Sequence, residues 1–327
     1  LMFLFSAIAF KQVRLARTDA LFSMLVFAML LSGWRATRGK GNWLPFWLLA
    51  ALTTLTKGPL GLLLTAGGLI GFFWERNERW QEVARQPRLR GILPHLPGIL
   101  LFLLLAGGWF LAANAVAGEE LVQKQIEKEL VGHAVESGEG EPFASGFYKP
   151  TLYFLSRFAP WSLISLIGFY FVFAGDFESR RQRYLLRTLT GYFFFGLVLF
   201  SLGAHKRPDH LIPLVPAAAL VGGWWLAGWL RPPYSRRQLA GFALFAALYF
   251  GFLLFYQHVL DRDDPYVVES IQAREFAGHV EAEAGPYFPL TSVDMPYTAQ
   301  FHLGTIRRSV PAWMAASQLA EKAAAFV

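Results

Sequence analysis

The 327-residue chain has no cysteine. Disulfides, thiolate nucleophiles and cysteine-based metal centres are therefore excluded. Charge is scarce too: 16% of residues are charged, against 54% hydrophobic and 16% aromatic. That is too little charge for a soluble domain of this size. The sequence has no internal repeat, no low-complexity run, no dinucleotide-type glycine motif and no basic-aromatic module suited to nucleic acid. The opening LMFLFSAIAF lacks a charged leader and a small-residue cleavage site, so it does not read as a signal peptide. It is expected to be the tail of a transmembrane helix that starts upstream. QLAEKAAAFV, at the other end, is expected to stop inside a helix.

What the chain does have is a series of long apolar runs, the mark of an α-helical polytopic membrane protein. Candidate spans are 1–10, 20–34, 42–56, 58–74, 92–114, 156–175, 188–203, 211–229 and 239–259. The links at 35–40, 75–90, 176–187 and 231–238 are short and arginine-rich, with 15 Lys/Arg against 5 Asp/Glu. Everything else carries 15 Lys/Arg against 18 Asp/Glu over a much greater length. Basic residues resist translocation, so the four arginine-rich links are expected to be cytoplasmic. The spans then alternate without conflict, and 11–19, Lys57, 115–155, 203–210 and 260–327 face outward.

This leaves three basic clusters on the side where topology asks for none. They are Lys11, Arg14 and Arg17; Lys57; and Lys206 with Arg207 in HKRPDH. Something on the outer face is expected to carry negative charge. The runs 42–56 and 58–74 cover only about 22–26 Å at ~1.5 Å per residue, against a hydrocarbon core of about 30 Å. Gly58-Pro59 breaks the helix between them. The pair is expected to form a short hairpin that recesses Lys57 in an outer cup.

Within 115–155, EELVQKQIEKELVGHA reads as an amphipathic helix on the outer surface, followed by a Gly/Pro-rich loop. Phe154, Phe158 and Trp161 are expected to mark the membrane interface. After residue 260 the composition becomes polar. REFAGHVEAEAG and MPYTAQFHLG suggest helices, YFPLTSVD and IRRSV strands, and WMAASQLAEKAAAFV a further helix. The expected organisation is a membrane domain over 1–259 and a small outward α/β domain over 260–327.

Each candidate site residue has a plain structural alternative. Asp19 stands at the start of a span and could serve only as a helix cap. Lys57 could snorkel to the interface, and Lys206 and Arg207 could neutralise lipid phosphates. His205, Asp209 and His210 have a spacing open to a metal, but Pro208 interrupts it and no third histidine or cysteine is nearby. His133 with Glu136, Glu139 and Glu141 reads as a solvated acidic loop. Tyr148 and Lys149 are either substrate contacts or interfacial anchors.

LARTDALFSMLVFAMLL, ALTTLTKGPLGLLL, FYKPTLYFLSRFAPWSL and SLGAHKRPDHLIPLVPAAAL occur in the order seen in one family. The chain resembles the membrane glycosyltransferases of the GT-C fold that use polyprenyl-phosphate sugars. These include the protein O-mannosyltransferases and the bacterial lipid A aminoarabinose transferase. The resemblance covers about residues 1–260, and its more specific parts are the KGP turn and the Lys/Arg-Pro-x-x-hydrophobic-Pro-Leu-x-Pro pattern. It implies an active site on the outer, periplasmic face of a bacterial inner membrane. It implies a main catalytic carboxylate in an Asp-Glu-like motif ahead of residue 1, with Asp19 as the second external acidic position. Lys57 matches the lysine after the short helix, and Lys206 and Arg207 match the basic pair before the proline-rich span. The stretch between Glu141 and Trp161 departs from the commoner aromatic pattern, which leaves the acceptor open.

The chemistry agrees with the charges. Transfer from a lipid-linked sugar expels a phosphate monoester, and Lys57, Lys206, Arg207 and Arg17 could stabilise it. A carboxylate must take the proton of the acceptor hydroxyl, and Asp19 is the catalytic candidate. Expected partners are a polyprenyl-phosphate sugar donor, a lipid, glycan or protein acceptor, and membrane lipids. No nucleic acid and no cofactor are expected, with a divalent metal left open. The competing reading is a transporter or flippase for an anionic lipid, whose charges would line a path through the membrane. A third is a structural scaffold with a sensing outer domain.

Overall fold

A computed structural model of the chain describes residues 2–3, 6–9, 18–38, 41–74, 92–117, 146–175, 177–203, 206–230, 233–255, 265–284, 290–291, 297–303 and 325–326. The chain divides into two compact units, 1–234 and 235–327.

In the first unit, α1 spans Thr18–Thr37, with Asp19 in its first turn and Arg35 in its last. Both charges suit the helix dipole. α2 (Leu44–Lys57) has Pro45 at its start and ends at Gly58. α3 spans Leu60–Trp74. A long apolar segment follows as a 3-10 turn at Leu93–His95, α4 (Leu96–Phe102), a π-turn at Leu103–Gly107 and α5 (Gly108–Ala117). α6 (Lys149–Arg157) and α7 (Trp161–Ala174) meet at a bend of 113°. α8 spans Arg180–Leu202 and is capped by Ser179, whose hydroxyl accepts from the Gln182 amide at 3.2 Å. A 3-10 segment, Pro208–Leu214, then leads into α9 (Val215–Trp229). Among the described residues of both units, five helices or continuous helical segments are long and apolar enough to cross a membrane: Thr18–Thr37, Leu93–Val116, Arg180–Leu202, Pro208–Trp229 and, in the second unit, Arg236–Phe255. The bent pair α6–α7 makes a sixth if counted as one span.

The core of this unit lies between α1, α3, α8 and the Pro208–Leu214 segment. Three glycines of α3 and α8 show the register. An added Cβ at Gly61 would meet Val26, one at Gly68 would meet Leu30 and Thr188, and one at Gly196 would meet Leu64 and Leu214. Rising numbers along α3 thus track rising numbers along α1 and falling numbers along α8. The starts of α1 and α3 and the end of α8 therefore share one end of the unit. Leu211, Ile212, Pro213 and Leu214 are buried, and the Tyr192 hydroxyl donates to the Pro213 carbonyl at 3.0 Å. α7 and α9 pack closely enough that a Cβ on Gly168 would lie 2.7 Å from the Val221 carbonyl oxygen. The Ser165 hydroxyl bridges the same contact, donating to the Ala218 carbonyl at 2.9 Å.

Several expectations need correction. The span expected over 156–175 is bent, so α6 folds against the body of the unit. Phe154, Phe158 and Trp161 are consequently buried instead of marking an interface. α8 begins at Arg180, inside the link expected over 176–187, because Ser179 caps it and Tyr184 and Leu186 find buried positions.

The second unit contains α10 (Arg236–Phe255), α11 (Pro265–Ala284) and α12 (Tyr297–His302). Its described strands are β1 (Leu290–Thr291) and β2 (Ala325–Phe326), a parallel pair two residues long. Two residues make no sheet face for a helix to cover, so the C-terminal α/β domain expected from the sequence is not present among the described residues; α11 and α12 dominate there. The helices expected around REFAGHVEAEA and MPYTAQFH are observed, but 325–326, expected to be helical, are extended. IRRSV lies outside the described residues, as does the amphipathic stretch at 119–134.

Candidate functional site

Asp19 and Lys57 meet in an ion pair at the shared end of α1 and α3. Asp19 sits in the first turn of α1, and Lys57 is the last residue of α2. Because α1 and α2 run in opposite directions, the start of one faces the end of the other. Asp19 is 9% exposed, the only charged residue so deeply buried among those described. The Lys57 side chain is 30% exposed, so the pair opens to one side. The Lys57 ammonium also lies 5.9 Å from the Phe22 ring centre, a favourable cation–aromatic distance. The carboxylate thus has two cationic neighbours, the ammonium and the positive end of the α1 dipole.

The turn after Lys57 aims it. Gly58 has φ +67° and ψ −165°, and its amide donates to the Thr54 carbonyl at 2.8 Å. Essentially only glycine adopts this region, and other residues pay about 1–3 kcal/mol there. Gly58→Ala should therefore lower stability by about that amount and shift Lys57 away from Asp19. A thermal melt of the purified protein, wild type against variant, checks this; unchanged melting would mean the turn tolerates a side chain.

One turn deeper, Ser23 and Thr54 are buried, and the hydroxyl oxygens of both lack a hydrogen-bond partner. They lie at i+4 from Asp19 and i−3 from Lys57, so helical spacing puts them on the same faces as the pair. That spacing was available in the sequence, but the burial was not.

Lys206 and Arg207 follow the end of α8, so they lie at the same end of the unit as Asp19 and Lys57. They are not joined to that pair. The Lys206 ammonium donates to the Gly203 carbonyl at 2.8 Å, which satisfies the C-terminus of α8. Arg207 is exposed and opens the Pro208–Leu214 segment. Tyr148, 62% exposed, and Lys149 begin α6. Arg17, Lys11, Arg14 and His205 lie outside the described residues, as does the 133–141 acidic loop. Among the described residues, no three His, Asp or Glu side chains gather as a metal site.

No protein-family model matches the chain. Two proteins of Aquifex aeolicus (strain VF5), both described as uncharacterized, are similar to it. One is 29% identical over 179 residues, covering 54% of this chain and 32% of the relative. The other is 23% identical over 211 residues, covering 64% and 44%. The chain thus spans about a third of the length of the first and under half of that of the second. Among solved structures, the fold is similar to the crystal structure of ArnT from Cupriavidus metallidurans bound to undecaprenyl phosphate. The TM-score is 0.65 at 17% identity, over 97% of this chain and 67% of that one. At that identity the likeness establishes the architecture: this chain has a polytopic α-helical membrane fold of the GT-C type.

Proposed function

We propose that the protein is a membrane glycosyltransferase that moves a sugar from a polyprenyl-phosphate carrier to an acceptor hydroxyl. The observation that carries this reading is the Asp19–Lys57 pair, a buried carboxylate holding a half-open ammonium at the end of the unit that also bears Lys206 and Arg207. The architecture, like that of a protein crystallised with undecaprenyl phosphate, supports the same donor class. The working face is the periplasmic side of a bacterial inner membrane, and the membrane part extends to about residue 259 with a periplasmic segment over 260–327.

The acceptor oxygen attacks the anomeric carbon, forming the new glycosidic bond. The carbon–oxygen bond to phosphate breaks, and the polyprenyl phosphate leaves with the electron pair. The acceptor proton passes to a carboxylate as the bond forms. Asp19 holds one Lys57 proton and so fixes the direction of the others, which meet the departing phosphate. Such charge-assisted bonds are worth most where charge develops. The rival flippase reading needs charges along a path through the membrane. Asp19, the buried charge among the described residues, sits instead at a helix end.

Arg207 and Lys206 supply the test of the phosphate wall. In full-length protein, Arg207→Ala should raise the donor concentration needed for half-maximal transfer by about ten- to a hundredfold, since a charge-assisted bond is worth ~1.5–3 kcal/mol. Arg207→Lys should recover only part of that, because a point charge replaces a planar fork. Lys206→Ala should also lower the melting temperature through loss of its bond to Gly203. Wild-type donor dependence in both alanine variants would assign the two residues to helix capping and the interface.

A further inference from the structure

The Asp19–Lys57 pair rests on polar atoms to which the sugar-transfer reading gives no role. Ser23 is 2% exposed and Thr54 9%, and neither hydroxyl has a hydrogen-bond partner. A buried hydroxyl in a helix can bond back to a carbonyl of the preceding turn. Thr53, Thr188 and Thr190, also buried, do so. Thr53 donates to the Ala50 carbonyl at 2.9 Å, Thr188 to the Tyr184 carbonyl at 2.8 Å and Thr190 to the Leu186 carbonyl at 2.8 Å. Ser23 and Thr54 do not.

The two hydroxyls lie between two points where α1 and α2 meet. At one, Asp19 pairs with Lys57. At the other, an added Cβ on Gly61 would touch both Thr53 of α2, at 2.8 Å, and Val26 of α1, at 3.2 Å. Ser23 falls between Asp19 and Val26 along α1, and Thr54 between Thr53 and Lys57 along α2. Both unmet hydroxyls therefore belong to the α1–α2 seam, about one turn beneath the ion pair.

A buried hydroxyl left unmet is costly. The carboxylate above has acceptor capacity to spare, since the ammonium binds Oδ1 and an ionised carboxylate can accept about four hydrogen bonds. One water answers both needs. It accepts from the Ser23 and Thr54 hydroxyls and donates to the Asp19 carboxylate, about three bonds, the usual number for a buried water. A cation in the same place would stand against the Lys57 ammonium and be repelled by it.

We infer that Ser23 and Thr54 are positioning residues. Through one bound water they hold the Asp19 carboxylate, and with it the direction of the Lys57 ammonium. The effect on turnover rests on the sugar-transfer reading; the water does not.

The test compares the full-length protein with Ser23→Ala/Thr54→Val, which removes both hydroxyls and nearly keeps the volume. Infrared difference spectra, wild type minus Asp19→Asn, identify the Asp19 carboxylate stretch. That band should shift in Ser23→Ala/Thr54→Val. It should stay in place in Thr53→Val, whose hydroxyl bonds the Ala50 carbonyl. Maximal transfer rate should fall about tenfold in the double variant, the equivalent of one hydrogen bond, with the donor concentration for half-maximal rate unchanged. Thr54→Ser keeps a hydroxyl and should keep both the band and the rate. An unshifted band in the double variant overturns the proposal. So does a raised melting temperature with wild-type turnover, the result for hydroxyls that are merely buried. A shifted band in a protein that transfers no sugar supports the water and rejects the transferase reading; an unshifted band beside wild-type transfer does the reverse. Should the double variant not fold, the wild-type chain decides. Exchange into heavy-oxygen water must displace an O–H stretch that Asp19→Asn alters, and the lack of such a band rejects the proposal.

Discussion

Asp19→Asn in full-length protein is expected to lower sugar transfer by about a hundredfold or more while leaving the chain folded, the scale found when one preorganised electrostatic group is removed from an active site. The substitution is chosen for what it keeps. Asparagine has nearly the same shape, and losing the favourable charge at the start of α1 costs only about 0.3–1 kcal/mol. What it removes is the negative charge that fixes the Lys57 ammonium. Lys57 is partly exposed, so it can rehydrate when the carboxylate is gone, and stability should change little. Lys57→Ala is the harsher change, because it leaves a buried carboxylate without its cation, and such groups are strongly destabilising. Turnover and melting temperature should therefore separate in Asp19→Asn and fall together in Lys57→Ala. Transfer from a polyprenyl-phosphate sugar, measured beside a thermal melt, reads both. Wild-type turnover in Asp19→Asn would leave Asp19 as a first-turn carboxylate that suits the α1 dipole and nothing more.

The largest structural effect should come from Gly222→Leu. A Cβ at Gly222 would stand 2.8 Å from the Ser165 hydroxyl oxygen and 3.0 Å from its Cα. The facing Gly168 is as tightly placed against the backbone of residue 221. Helix pairs in membranes associate through such close approach of small residues, since lipid offers no hydrophobic drive between them. Leucine must push α7 and α9 apart and break the Ser165–Ala218 hydrogen bond. Overpacking of this kind costs about 1–3 kcal/mol where side chains can yield, and backbone cannot. The folded fraction recovered in detergent should drop sharply for Gly222→Leu. Gly241→Leu, where nothing lies within 4 Å of an added Cβ, should fold normally. Equal recovery of the two variants would mean that the α7–α9 contact is not needed for the fold.

Some of the candidate site was open to reading in one dimension. Lys57 stands before Gly-Pro, so a helix end and a turn at that point follow from backbone chemistry alone. Asp19 opens a span, where a carboxylate suits the free amides. The partnership of these two residues, 38 positions apart, could not be read, because it depends on how α1 and α2 lean together. Lys206 has a structural contact that was hidden for a similar reason. From sequence it was one of a basic pair facing outward; in the fold its ammonium closes the end of α8.

By itself, the sequence determined the membrane class and the positions of most spans. These follow from a local quantity, run length against bilayer thickness. Tertiary structure decided the rest. It bent 149–174 at Phe158–Pro160, buried Phe154, Phe158 and Trp161, and drew α8 back to Arg180. Among the described residues after 260 it also left, of the expected α/β domain's strands, a parallel pair two residues long beside the expected helices α11 and α12. Short apolar runs of mixed propensity, such as YFPLTSVD, suit a strand or an irregular segment equally well. Which one forms depends on whether a neighbouring strand is present to complete its hydrogen bonds, and only the folded chain supplies or withholds that neighbour.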